Sequence, residues 1–217
     1  MVSQSIFRWT LLPVVCVLLC FCLQGQQTSP PSSSSRPKSK PTVLPSFGQG
    51  TSTDGIYRNV FFGFSYKVPF GWVDRTDRMQ NESESGQSAV LIALFERPPE
   101  AAGDSINSAI VIAAEKMSSY PGLKSADEYA ARVTELTTAK GFKPSGDPQE
   151  IVIGAHKLVR ADFKREMGSL TMYQSTLAMI SKGYIASFTF IGGSEDEVQT
   201  LIADLNFGGA AKATAKP

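Results

Sequence analysis

Cysteine is confined to the N-terminal apolar run of this chain, where Cys16, Cys20 and Cys22 are the only three among 217 residues. No disulfide can brace what folds after them, and thiol catalysis and thiolate metal centres are excluded there. Histidine is nearly missing too. His156 stands alone, which rules out a multi-histidine metal site, and no G-x-S-x-G elbow supplies a nucleophile for a Ser/His/Asp triad. Its place after a tight turn reads as the partly exposed start of a strand. Positive charge is not in excess either. All 20 acidic residues lie at or after Asp54, against 17 basic ones, leaving that part at −3. No basic stripe is available to neutralise a run of phosphates, so nucleic acid is not an expected partner.

What is present begins with Arg8 and an uncharged apolar stretch from Trp9 to Leu23. It is shorter than the roughly 20 residues a bilayer span wants, and Pro13 interrupts it, so residues 1–25 read as a secretory signal peptide. The alternative is a membrane tether, through an uncleaved N-terminus or lipidation at Cys20 or Cys22. Against lipidation, Val15, Leu19 and Phe21 stand before the cysteines, where a lipoprotein signal wants a small residue. Either route leads outside the cytoplasm. Residues 26–53, rich in Ser, Pro and Thr, hold too little apolar surface to offset the entropy of ordering and read as a linker carrying Arg36, Lys38 and Lys40. Residues 54–208 read as one domain, and residues 209–217 as a disordered tail. A domain near that size buries roughly 68 to 70% of its unfolded surface and needs no disulfide.

Within the domain the hydrophobic pattern is ordered. Tyr57–Asn59 and Phe62–Val68 read as strands running into a turn at Pro69, Phe70, Gly71 and Trp72, and Asp74 to Gln87 as a polar loop. Ala89–Phe95 and Ala109–Ala114 are continuous apolar runs, as expected of strands covered on both faces. Ser125-Ala-Asp-Glu128 is a capping box that starts a helix to about Lys140, its buried face Ala126, Tyr129, Ala130, Val133, Leu136 and Thr137. Ile151–Ile153, Lys157–Phe163, Leu170–Ile180 and Tyr184–Ile191 read as a four-strand antiparallel meander. A second capping box, Ser194 to Glu197, opens a last helix with Val198, Leu201, Ile202 and Leu205 inward. The expected class is α+β: one mostly antiparallel sheet with helices packed on it.

Chemistry-bearing clusters are few. Asp74, Asp77, Glu82 and Glu84 share the polar loop, but the alternating register of a calcium site is missing and Arg75 and Arg78 intervene, so no metal is expected. Glu195, Asp196 and Glu197 sit at a helix N-terminus, where the macrodipole favours them. Arg160 and Asp162 occupy alternate positions of one strand and read as a surface ion pair. Asn81-Glu-Ser83 matches a glycosylation sequon that matters only in a eukaryotic secretory route. The remaining signal is aromatic. Seven rings crowd residues 57–72, and those not taken into the core would make a contact surface, for which Tyr57, Phe61, Phe70 and Trp72 are the candidates.

The segment YRNVFFGFSYKVPFGW, followed by two apolar strands, a capped helix, a meander and a short last helix ending LNF, resembles the PsbP-like superfamily over nearly the whole of residues 57–207. That superfamily includes the PsbP subunit of the oxygen-evolving photosystem, exported bacterial DcrB-type proteins and a Ran-binding protein. The resemblance implies an α/β/α sandwich and a non-enzymatic role in binding or assembling a partner. It carries over no functional residue, because the shared positions are structural. The reading is a binding or assembly module outside the cytoplasm whose partner is an envelope protein, without cofactor. The alternatives are a carrier of a small apolar ligand and, less favoured, an enzyme.

Overall fold

The computed structural model describes residues 50–82, 87–101 and 103–208, with the side chains of residues 81 and 82 left aside. The signal peptide with its cysteines, the linker up to residue 49, Glu84, the sequon side chains and the tail from residue 209 lie outside the described residues. In chain order the elements are β1 (Thr51–Thr53), β2 (Ile56–Asn59), β3 (Phe64–Lys67), β4 (Val73–Asp74), α1 (Thr76–Glu82), β5 (Ser88–Phe95), β6 (Ala109–Lys116) and α2 (Ala126–Ala139). Then come β7 (Lys143–Pro144), β8 (Gln149–Ile153), β9 (His156–Met167), β10 (Leu170–Ser181), β11 (Tyr184–Gly192), α3 (Glu195–Ala203) and β12 (Leu205–Asn206).

Among the described residues every strand pairing is antiparallel. The large sheet has the order β4-β5-β6-β11-β10-β9-β7, with β8 also on β9. The meander read in the sequence is therefore real, and the β5–β6 hairpin extends it at β11. Where one sheet was expected there are two. β1, β2, β3 and β12 form a separate four-stranded sheet, which covers one face of the large sheet together with α3. The alternation of β2 and β3 shows why: Tyr57, Phe64 and Tyr66 point to the core, while Arg58 and Lys67 face solvent. β1 falls inside the stretch read as linker, so folded structure starts before Asp54.

Two apolar clusters hold the layers together, one on each face of the large sheet. The first joins Tyr57, Phe64, Tyr66, Leu201 and Phe207 to Leu91, Ile112, Leu177 and Phe188. The second joins Met79 of α1 and Tyr129 and Val133 of α2 to Val90, Val111, Phe163 and Ile185. Full burial of one such side chain stabilises by about 1.5 to 3 kcal/mol. Tyr66 also satisfies its polar end, donating to the Leu201 carbonyl at 2.9 Å. Both clusters are built from residues 57–207, so the described part contains its own core.

Both capping boxes form. Ser125 Oγ accepts from Glu128 N at 3.2 Å and Ser194 Oγ from Glu197 N at 3.1 Å. The return bonds run from Lys124 N to Glu128 and from Gly193 N to Glu197, one residue earlier than the usual N-cap donor. The polar loop expected over Asp74 to Gln87 instead contains α1. One apolar residue, Met79, is buried from it, too faint a periodicity to read, and its anchoring is polar. Thr76 Oγ1 accepts from Ala93 N at 2.9 Å and Gln80 Oε1 from Val90 N at 2.6 Å, closing the edge of β5. Between those bonds β5 bulges at Leu91, which sends Leu91 and Ile92 into the same cluster. Among the described residues no helix is long and apolar enough to cross a membrane.

Candidate functional site

The turn after β3 is fixed on both sides. Val68 N donates to Gly55 O at 2.7 Å, and Trp72 N reaches back to Pro69 O at 3.4 Å. Gly71 has φ 81, a left-handed conformation that glycine adopts without strain. Trp72 is half-buried against the first cluster, whereas Phe70 is fully exposed at 105%. The anchored Trp72 thus holds up an aromatic side chain that packs on nothing.

The other aromatic candidates take different places. Tyr57 is 5% exposed and belongs to the core; its ring lies 5.9 Å from that of Phe64, and burial pushes its hydroxyl pKa up. Phe61 is half-buried in an edge contact with Tyr184, at 5.6 Å between centroids. Lys182 sits over its ring at 4.7 Å and donates to its carbonyl at 2.6 Å, which ties the β2–β3 turn to the β10–β11 turn. Because β2 and β3 are antiparallel, Phe61 and Phe70 lie at opposite ends of the small sheet. The structure does not gather the four aromatics into one patch; Phe70 alone projects.

A cleft of about 440 Å³ opens between β1, α1 and β5, walled by Ser52, Tyr57, Asp74, Thr76, Asp77 and Gln80 over Leu91 and Ile92. Much of its polar wall is already used by the protein. Asp74 Oδ1 accepts from Thr76 N and Thr76 Oγ1, and Thr76 and Gln80 hold the β5 amides. Arg75 and Arg78 both turn to Glu100, whose carboxyl is held below the usual range by its own backbone hydrogen bond and then by the arginines. Among the described residues no group of three His, Cys, Asp or Glu could hold a metal ion. His156 is exposed at the start of β9 and stacks on Phe207 at 4.7 Å. Arg160 and Asp162 pair at 2.9 Å, and Arg160 also reaches Gln199 of α3.

The most unusual polar group is one that no sequence motif marks. Glu115, near the end of β6, is 4% exposed beneath α2. Tyr129 Oη donates to its Oε1 at 2.7 Å, and Tyr120 Oη donates to its Oε2. Burial pushes the Glu115 carboxyl above the usual carboxylate range against the pull of these two bonds, and burial raises both tyrosines as well. No alternation along β6 points to it, because the strand is buried without a break from Ala109 to Glu115.

No protein-family model matches the chain, and no curated protein matches it. Solved structures do. The chain is similar to cyanobacterial PsbP (CyanoP) from Synechocystis sp. PCC 6803, at 12% identity and a TM-score of 0.47, covering 70% of this chain and 90% of that one. It is similar to the Saccharomyces cerevisiae Ran-binding protein Mog1p at 10% identity and 0.41, covering 67% and 90%. LpqN of Mycobacterium tuberculosis, described as involved in cell envelope biogenesis, matches at 16% and 0.35, covering 65% and 76%. At these identities and TM-scores the likenesses carry over no function.

Proposed function

We propose that this protein is a non-enzymatic binding or assembly module working outside the cytoplasm, and that it engages a protein partner through the Pro69–Trp72 turn. One observation supports the reading: Phe70 stands fully in solvent on a turn that hydrogen bonds and a half-buried tryptophan hold in place. A large apolar side chain exposed on a fixed turn loses little conformational freedom on binding and is the type of residue that anchors interfaces. The N-terminal apolar run and its basic flank support the exported location. The test is affinity capture from an envelope extract with wild-type and Phe70→Ala proteins side by side. Retention of a protein by wild type and its loss in the equally stable variant is expected; identical capture by both overturns the reading.

A further inference from the structure

Among the described residues Glu115 is the one buried charged side chain, and no described lysine or arginine lies within ion-pair distance of it. Its two carboxyl oxygens go to two different elements. Tyr129 belongs to the first turns of α2, and Tyr120 to the segment that leaves β6 through a short 3-10 turn at Met117–Ser119. The rings of the two tyrosines meet edge to face at 5.8 Å. Ser187 of β11 shares a hydrogen bond with Tyr129, Ser88 of β5 stands opposite Glu115 in register, and the Arg132 guanidinium of α2 lies over the Tyr120 ring at 5.8 Å. None of these cancels a negative charge on the carboxyl. The group is thus the joint between the sheet and two of the pieces of chain that cover its second face.

We propose that Glu115 is a proton-operated clamp: as a neutral acid, accepting from one tyrosine hydroxyl and donating its own O–H to the other, it holds α2 and the Met117–Lys124 segment on the sheet, and as a carboxylate it loosens both. A carboxylate out of water with two phenol donors and no cation is poorly compensated, and the way to hydrate it is to lift the elements above it. The sign follows from burial raising this carboxyl in the folded state. Its contribution is fully present below the pKa of an unfolded glutamate and is lost as pH rises through the higher folded value. The clamp is therefore tight on the acid side of its raised pKa and opens as pH rises through it. It is independent of the Phe70 surface, which lies on the other sheet.

The test compares full-length wild type with Glu115→Gln across pH, reading the melting temperature and the hydrogen exchange of Ala126–Ala139. The wild-type Tm should fall relative to the variant as pH rises. The α2 amides should exchange several-fold faster in wild type than in Glu115→Gln at the alkaline end, with α3 unchanged. Parallel melting curves overturn the clamp, as does an equal change in α2 and α3, which would mark global linkage. If Glu115→Gln does not fold, Tyr120→Phe decides: losing one donor to the carboxylate raises the folded pKa further, so the fall in Tm must extend to higher pH than in wild type. A pH profile in Tyr120→Phe that matches wild type overturns the proposal.

Discussion

The carbonyl oxygen of Phe207 occupies the space that a β-carbon on Gly154 would need, since the two would stand only 2.3 Å apart. Gly154 also has φ 60, in the turn that joins β8 to β9. The end of β12 is therefore seated on a glycine that is needed twice, for its backbone conformation and for its missing side chain. Gly154→Ala should cost at least about 2 kcal/mol by urea unfolding, from left-handed strain plus displacement of the chain end. Gly168→Ala is the control, since Gly168 has φ 66 with open space around it; it should cost only about 1 kcal/mol. Equal losses at both sites would show that the Phe207 contact carries no energy.

Ser125→Ala and Ser194→Ala should each lower stability by about 0.5 to 2 kcal/mol, because each hydroxyl satisfies one amide at the start of a helix. Chemical denaturation of the two variants checks this. No loss at either site would mean that water replaces the caps without cost.

Phe70→Ala should leave stability within about 0.5 kcal/mol, since the ring packs on nothing. Trp72→Ala should cost more than about 1 kcal/mol, because its ring is partly buried against the first cluster. Paired melting curves separate the two, and a marked loss for Phe70→Ala would place its ring against the fold.

Thr76→Val keeps the volume of the side chain and removes its oxygen. It leaves the Ala93 amide without an acceptor and Asp74 without one of its donors. The expected cost is about 1 to 3 kcal/mol, read from denaturant midpoints. Asp77→Asn, at an exposed neighbouring position, should change stability by less than about 0.5 kcal/mol.

Much of the fold was legible because its signals are local. β5, β6 and the meander announce themselves as apolar or alternating runs between glycine turns, and Ser125 and Ser194 mark both long-range-packed helices within four residues. What escaped depends on contacts distant in sequence. β12 exists because Leu205 pairs with Tyr66, and β1 because Ser52 pairs with Tyr57; neither segment has strand character of its own. α1 is held by side chains that cap another element's edge, which no periodicity reveals. Among the four candidate aromatics the sequence could not choose, since the alternation that buries Tyr57 stops at the β2–β3 turn and says nothing about Phe70. Glu115 escaped for the opposite reason: a charged residue ending an apolar strand reads as the point where the strand meets solvent, and here α2 covers it.

The bulge at Leu91 makes β5 one residue longer than its ladder with β6 requires. Ser88 and Ala89 pair with Glu115 and Ala114 on one side of it, and Ile92 with Ile112 on the other. Removing Leu91 would join two stretches already in step, so this strand can absorb a single-residue deletion without exchanging which layer each remaining side chain enters. An insertion has no such allowance, because it would have to enlarge the bulge or turn Ser88 to Val90 over. Length variation at this place in the chain should therefore keep the register in one direction only, toward a shorter strand, and there at the cost of the buried Leu91 side chain.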